Sequence, residues 1–185
     1  EYGLPIFQPR SLRPRRVVEE LRALRAEAVV VAAYGLILPR RVLQIPPFGC
    51  LNLHASLLPK YRGAAPVAAA ILAGEERTGV SIMLMDEGVD TGPILAEREI
   101  PISPQDTRAS LTARLSHVAA DLLDEVLPLW FEGQITPQPQ PAVCGSYAPL
   151  IRKRDGLIDW ESPLEAIGRR VRAFHPWPGA YTFWK

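Results

Sequence analysis

The chain has 185 residues, 48% of them hydrophobic and 22% charged, which is ordinary for a globular protein of one or two domains. Its formal net charge of +1 excludes binding of a polyanion through overall charge alone. No apolar run reaches the roughly 20 residues of a membrane-spanning helix, and two cysteines, Cys50 and Cys144, are too few for a disulfide framework. We therefore expect a reducing compartment, the cytoplasm or an organellar matrix, and no membrane partner.

Apolar periodicity predicts alternating helices and strands up to residue 133. In chain order these are a helix over residues 15–26, a strand over 28–33, a short helix through Val42, a strand over 50–54, a helix over 66–72, strands over 79–86 and 93–102, and a long helix from Asp106 toward Trp130. This alternation predicts a mostly parallel α/β sheet.

The run Val29-Val30-Val31 is typical of a strand that is buried on both faces, with a neighbouring strand on each side. The chain opens on Glu1 rather than on Met, so we expect residues before it to be missing. Without those residues, one side of this strand has no partner. The sequence therefore predicts an unpaired, apolar sheet edge at this strand.

The composition changes after residue 133. Prolines and glutamines recur from Gln134 to Pro141, which predicts a stiff linker over residues 134–150 that cannot join the interior of a sheet. Ser162-Pro163, followed by an apolar stripe, predicts the start of another helix. We therefore divide the chain into residues 1–133, 134–150 and 151–185.

Asn52 and His54 are the first candidates for chemistry. Side chains two apart on a strand share a face, and ligands of open α/β sheets bind beyond the carboxyl ends of parallel strands. An amide can donate a hydrogen bond to an oxyanion, and an imidazole can handle a proton. The alternative is a polar strand end with a solvated histidine, and the spacing alone favours that alternative.

Three other segments carry a candidate role and a simpler alternative. The acidic, glycine-rich stretch from Asp86 to Pro93 either forms only a turn or lets Asp90 hold His54 or a water. Residues 34–39 form either an apolar wall for a flat ring or a strand-to-helix turn. Lys60 and Arg62 suit a phosphate or carboxylate, although surface loops often carry such charges without a role. Phosphate loops, metal-ligand spacings and a nucleophile elbow are absent.

Longer strings carry more information than these single residues. NLHASLLPKYRGAAP at residues 52–66 resembles the active-site segment of the folate-dependent formyltransferases, and GVSI at 79–82 with DEGVDTG at 86–92 resembles their second signature. Residues 33–39, 146–148, 158–160 and 172–178 are most similar to the branch of that family that acts on methionyl-tRNA. The resemblance extends over nearly the whole chain.

The resemblance implies a Rossmann-like formyltransferase catalytic domain without its first strands, then a linker and the beginning of a C-terminal, tRNA-binding β-barrel domain. It implies 10-formyltetrahydrofolate as the donor, the amino group of initiator methionyl-tRNA as the acceptor, and no metal. We expect the intact protein to be a monomer. Two alternatives stay open, a formyltransferase for an amino sugar nucleotide and a catalytically silent folate- or RNA-binding module.

By the same resemblance, Asn52, His54 and Asp90 occupy the catalytic positions. The positions that would bind the folate are Leu36, Ile37, Leu38, Ser56, Leu57, Leu58, Pro59, Asp86, Glu87, Gly88 and Val89. The positions that would bind tRNA are Lys60, Arg62, Arg152, Lys153 and Arg154.

Overall fold

The computed structural model describes residues 3–141 and 145–184, so Cys144 lies outside the described residues. The elements are α1 (Arg15–Ala23), β1 (Val29–Val31), α2 (Arg40–Leu43), β2 (Cys50–His54), β3 (Arg62–Gly63), α3 (Pro66–Ala73), β4 (Arg77–Leu84), β5 (Ile94–Pro101), α4 (Arg108–Phe131), β6 (Tyr147–Ala148), a 3₁₀ turn (Lys153–Gly156) and α5 (Leu164–Ala173). The predicted helices and strands up to residue 133 are all present, with bounds shifted by a few residues.

The main sheet has the strand order β1-β2-β4-β5 and is mixed. β1 and β2 are parallel, whereas β2 and β4, and β4 and β5, are antiparallel. The α/β class and the Rossmann-like fold are confirmed, but the expectation of a mostly parallel sheet is wrong for the described residues. The short turn over residues 85–93 reverses the chain directly between β4 and β5, and a turn of this kind joins antiparallel strands.

The main core lies between this sheet and helices α3 and α4. The apolar stripe of α4 packs on Ile71 of α3 and on Val80 and Ile82 of β4. Each such side chain contributes about 1.5–3 kcal/mol when it is fully buried. Thr107 caps α4 by accepting a hydrogen bond from the backbone N–H of Ser110, which agrees with the predicted helix start. Helices on a sheet face of this kind hold the ends of β2 and β4 in fixed positions.

A second, smaller core covers the other part of the sheet, beside β1 and β2. Its buried members are Leu12, Val18, Val31, Leu38, Val42 and Cys50. Burial raises the pKa of the Cys50 thiol to about 11, so this cysteine is protonated at neutral pH.

The segment after α4 packs on the sheet. Backbone N–H groups of Ile94 and Gln138 each donate to the other residue's carbonyl at 2.8 Å, which extends the edge of the sheet. β6 then pairs in parallel with β3, and this pair was not predicted. α5 packs on α3, and Ala173 belongs to the main core. Beyond residue 150 the described strand pairing is an isolated bridge between Leu157 and Tyr181, so the start of a β-barrel stays a prediction.

β1 lies at an edge of the sheet, as the sequence predicted, and Val30 is 41% exposed there. Val31 is buried in the smaller core but Val30 is not, so β1 is not buried on both faces in the described chain. Because an open apolar edge can pair with another molecule, we expect Val30→Lys to lower concentration-dependent association of this chain, measured by light scattering. Leu24→Lys, an exposed site on the loop after α1, is the matched control. If both substitutions lower association equally, or if neither lowers it, the β1 edge does not drive association.

Candidate active site

The structure brings Asn52, His54 and Asp90 together at the end of β2. The side-chain amide of Asn52 donates to Asp90 Oδ1 at 3.1 Å, and His54 Nδ1 lies 3.6 Å from Asp90 Oδ2. Asp90 comes from the 85–93 turn, which the antiparallel pairing of β2 with β4 places beside β2. The predicted same-face arrangement of Asn52 and His54 is thus present, and both side chains meet one carboxylate.

The Asp90 carboxylate is mostly enclosed, and both of its oxygens are engaged. Oδ2 accepts a hydrogen bond from the backbone N–H of Gly63 at 2.7 Å, while Oδ1 accepts from Asn52. Asp90 has a backbone φ of +52°, a left-handed conformation that aspartate adopts more readily than most residues. Such conformations persist when surrounding contacts hold them, and they occur often at functional sites.

His54 is buried, with 5% of its surface exposed, and its tautomer follows from its contacts. Nε2 lies 2.9 Å from the backbone carbonyl of Tyr61. Because a carbonyl only accepts hydrogen bonds, Nε2 carries a proton in this arrangement. In the neutral ring Nδ1 then has a lone pair that faces the carboxylate of Asp90.

The loop over residues 55–61 is fixed by polar contacts that set the Tyr61 carbonyl. Buried Ser56 donates from Oγ to the Lys60 carbonyl at 2.6 Å, and the Tyr61 hydroxyl donates to Glu75 at 2.7 Å. Burial, then the contact with Glu75, raises the pKa of Tyr61 to about 12. Hydrogen bonds from Tyr61 and then Lys60 lower the pKa of Glu75. Tyr61 itself has a positive φ of 58°.

A cavity of about 520 Å³ is bordered by the first part of the 85–93 turn. It is lined by Arg40, Leu43, Gln44, Met85, Asp86, Glu87 and Gly88. Asp86 Oδ1 shapes the turn by accepting from the backbone N–H of Gly88 at 2.9 Å and from the Thr91 hydroxyl at 2.8 Å. Three residues that the resemblance assigns to folate binding therefore line a cavity formed in part by the turn that carries Asp90.

The other residues assigned to folate binding differ in their exposure to solvent. Leu36 and Ile37 are exposed, but Leu38 is 6% exposed and packs in the smaller core. Ser56 and Leu58 are also buried, while Leu57 and Pro59 are half-buried and Val89 is exposed. Buried side chains shape the loops of the site and offer little surface to a ligand. Folate contacts of these residues stay predictions.

The basic residues assigned to tRNA binding are mostly engaged within the chain. Lys60 Nζ forms an ion pair with Glu75 at 3.0 Å, and the Arg62 guanidinium donates to Gln140. Lys153 Nζ donates to the carbonyl of Pro178 at 3.0 Å. Arg152 and Arg154 are exposed at the surface, and their contact with tRNA, like that of the other three residues, stays a prediction.

Sequence reasoning missed three groups that build this site: the Gly63 N–H, the Tyr61 carbonyl and the Gln140 side chain. Gly63 has φ of +105°, and a Cβ there would lie 2.6 Å from the Tyr147 ring and 2.7 Å from the Ala148 carbonyl. Only glycine fits this position without movement of its neighbours. The two backbone groups carry no sequence signal, and the prolines around Gln140 indicated a linker.

Within residues 3–141 and 145–184, no cluster of three or more His, Cys, Asp or Glu side chains is arranged to hold a metal ion. In the same part of the chain, no helix combines the length and the apolar character needed to cross a membrane.

The site combines an amide, an imidazole and a carboxylate at the strand ends of an α/β sheet. Proteins of this class have the groups needed to stabilise an oxyanion and to move a proton. Comparison with known families places the chain more narrowly. The family model described as formyl transferase matches residues 2–127, and the model of the formyl transferase C-terminal domain matches residues 150–185. The chain belongs to the formyl transferase family.

Curated relatives and solved structures agree with this assignment. The methionyl-tRNA formyltransferase of Chloroflexus aurantiacus is 52% identical over 100% of this chain and 59% of its own length. That of Dictyoglomus turgidum is 49% identical over 99% and 59%, respectively. The chain therefore spans about three fifths of these relatives.

Two solved structures share the fold at low identity. HypX from Aquifex aeolicus in complex with tetrahydrofolic acid has a TM-score of 0.78 at 23% identity, over 89% of this chain and 28% of its own. A sugar N-formyltransferase from Shewanella has a TM-score of 0.79 at 24% identity, over 94% of this chain and 70% of its own. These similarities establish a shared fold.

The Tyr61–Glu75 hydrogen bond generates a pH-dependent stability prediction. Tyr61→Phe should lower the free energy of unfolding by about 1 kcal/mol near neutral pH. Glu75 has a lowered pKa, so its contribution is present above the ordinary value of 4.5 and is lost as pH falls through the folded-state pKa. Tyr61 has a raised pKa, so its contribution is present below the ordinary value of 10.0 and is lost as pH rises through about 12.

The measurement is denaturant unfolding of Tyr61→Phe and unchanged protein across this pH range. Tyr147→Phe, at an exposed ring, is the control. A stability difference that stays constant from acid to alkaline pH would contradict the assigned hydrogen bond.

Proposed function

We propose that this chain carries the catalytic site of a methionyl-tRNA formyltransferase, which transfers a formyl group from 10-formyltetrahydrofolate to the amino group of initiator methionyl-tRNA for translation initiation. The observation that carries the proposal is the convergence of Asn52 and His54 on Asp90. Family membership and 52% identity to a relative of that name support it. The activity, the substrates and the roles of these residues are all parts of the proposal.

In the proposed mechanism, Asn52 and His54 stabilise the oxyanion. A bond forms between the acceptor nitrogen and the formyl carbon, and the formyl oxygen gains negative charge as the carbon becomes tetrahedral. Asn52 uses one N–H of its amide on Asp90, so its second N–H is free by valence to donate to that oxygen. A hydrogen carried by His54 Nδ1, shared with Asp90 Oδ2, would be the second donor to that oxygen. Fixed donors of this kind need no reorganisation as charge develops.

Asp90 has a proton-handling role in this mechanism. The acceptor nitrogen loses a proton, and the folate nitrogen gains one when its bond to the formyl carbon breaks. Asp90 orients His54 and relays the proton between these two nitrogens, directly or through a water. The carboxylate suits this role because it is positioned by Gly63 and Asn52 at the end of β2.

The donor assignment follows from family membership and from the cavity beside the 85–93 turn. Backbone N–H and carbonyl groups of a turn can pair with the polar edge of a pterin ring, and Leu36 and Ile37 can cover its face. The structural relative HypX binds tetrahydrofolic acid, which supports a folate in this fold. We propose that the folate occupies the cavity lined by Arg40, Met85 and Asp86–Gly88.

The acceptor distinguishes the main proposal from its alternatives. A sugar N-formyltransferase shares the fold, which keeps an amino sugar nucleotide as the second candidate. Identity of about 50% to methionyl-tRNA formyltransferases, against 24% to the sugar enzyme, favours the tRNA. A silent binding module is the third candidate, and it predicts folate binding without turnover.

Removing one oxyanion donor gives the direct test of the catalytic assignment. Asn52→Ala should lower kcat by about 10²- to 10³-fold, with a small change in folate affinity. The assay is formylation of charged tRNA by the complete protein that contains this chain. Gln134→Ala is the matched control, because its amide contacts only the surface residue Glu132 among the described contacts. An Asn52→Ala variant with near-normal kcat would remove Asn52 from this role.

The acceptor assignment predicts a strong salt dependence. Because tRNA is a polyanion, its KM should rise steeply with ionic strength, whereas an amino sugar nucleotide with few phosphates should respond mildly. Arg154→Ala should raise KM for tRNA and leave folate affinity nearly unchanged, because Arg154 is exposed and remote in sequence from the cavity residues.

Arg62 is a poor probe of tRNA binding, since its contact with Gln140 links it to the Asp90 turn. Glu161→Ala, an exposed acidic site in the same region, is a control for the Arg154 variant. If the protein formylates a sugar nucleotide and ignores charged tRNA at low salt, the acceptor assignment is wrong and formyl transfer survives.

A further inference from the structure

We propose that Gln140, near the start of the linker, is a positioning residue for Asp90, so that the linker is part of the catalytic apparatus. This inference rests on the proposed formyl transfer. Gln140 Nε2 donates to the backbone carbonyl of Asp90 at 3.0 Å and to that of Gly92 at 2.7 Å. It thereby holds the main chain on both sides of Thr91, immediately after the proposed catalytic carboxylate.

The orientation of the Gln140 amide follows from its partners. Carbonyl oxygens accept hydrogen bonds only, so the atom that faces Asp90 and Gly92 must be the NH₂ group. Arg62 donates only, and its Nε and Nη2 lie 3.0 and 2.6 Å from Gln140 Oε1. Each end of the amide therefore meets groups of the complementary kind, and a flipped amide would lose all four contacts.

The 85–93 turn depends on such polar contacts because it has little apolar packing around Asp90. Residues 86–89 and 91 are exposed, and Asp90 keeps a left-handed conformation. A single donor group on two of its carbonyls restricts rotation of the peptide units that follow Asp90. This restriction keeps the carboxylate directed at Gly63 and Asn52.

Arg62 connects the same contact to the other side of the site. It orients the Gln140 amide with its side chain, and the next residue, Gly63, donates its N–H to Asp90 Oδ2 at 2.7 Å. Gln138, two residues before Gln140, is paired with Ile94 through backbone hydrogen bonds in both directions. The linker is therefore anchored on β5 next to the turn, and Gln140 reaches the turn from a fixed position.

The test compares three variants of the complete protein. Gln140→Ala removes all four contacts, and Gln140→Glu keeps the shape and the acceptor for Arg62 but loses the donor. Gln138→Ala is the matched control, because its side chain reaches only the nearby Thr136 carbonyl and its backbone pairing is retained. We expect kcat to fall about 10- to 100-fold in both Gln140 variants, with KM for folate and acceptor nearly unchanged and no change in the control.

A second readout keeps this proposal separate from the proposed function. Loss of the Gln140 contacts should release Asp90 from Gly63, so amide hydrogen exchange at Gly63, measured by NMR, should quicken about 10-fold in Gln140→Ala and Gln140→Glu but not in Gln138→Ala. If unchanged protein transfers no formyl group, formyl transfer fails and the exchange rates still test the positioning.

The proposal is overturned if both Gln140 variants keep normal kcat and normal Gly63 exchange. It is also overturned if kcat and KM change together with a general loss of stability in Gln140→Glu, which would indicate a purely structural role.

Discussion

The site depends on the hydrogen bonds made to one mostly enclosed carboxylate, that of Asp90. Asp90 accepts hydrogen bonds from Asn52 and from the Gly63 N–H, which are 38 and 27 residues away in the sequence, and its carbonyl accepts from Gln140, 50 residues away. Each hydrogen bond contributes only about 0.5–1.5 kcal/mol net, whereas a buried group without a partner costs more. The arrangement therefore exists only when β2, β3, the 85–93 turn and the linker are all folded, which couples the site to the whole sheet.

The local features of the fold could be predicted from the sequence. Apolar spacing located α4 and Thr107 at its start, and β-branched residues located β1 and β4. Strand direction could not be predicted in the same way, because it depends on how each connection returns to the sheet. β4 and β5 are antiparallel across a short turn although helices and strands alternate around them. The exposure of Val30 depends on what covers β1 at the sheet edge, and a local run of three valines does not carry that information.

The candidate site likewise has features that could be predicted from the sequence and features that could not. The shared face of Asn52 and His54 follows from the period of a strand, and the structure brings Asp90, which the sequence analysis had named as a candidate partner of His54, to both of them. By contrast, the role of Gln140 comes from a contact across 50 residues, and prolines around it indicated only a spacer. For Leu38 the local sequence left two possibilities, because an apolar residue in a loop suits a ligand wall and a core equally well, and its side chain packs in the smaller core.

In the proposed function, the chemistry and the choice of acceptor depend on different parts of the molecule. The proposed formyl transfer needs only hydrogen-bond donors, a proton carrier and a folate beside the end of β2. Lys60 and Arg62, the cations nearest this point in the sequence, are engaged by Glu75 and Gln140 and stabilise the site's own loops. Recognition of the proposed tRNA acceptor would then depend on exposed cations outside the cleft, such as Arg152 and Arg154.

The decisive measurement is a crystal structure of the protein with a bound formyl-folate analogue. We expect the pterin to lie in the cavity beside Asp86–Gly88 and the formyl oxygen to lie within hydrogen-bond distance of Asn52 Nδ2, with His54 and Asp90 unchanged in position. A folate bound on another face of the sheet, or a formyl group separated from Asn52 by other side chains, would contradict it.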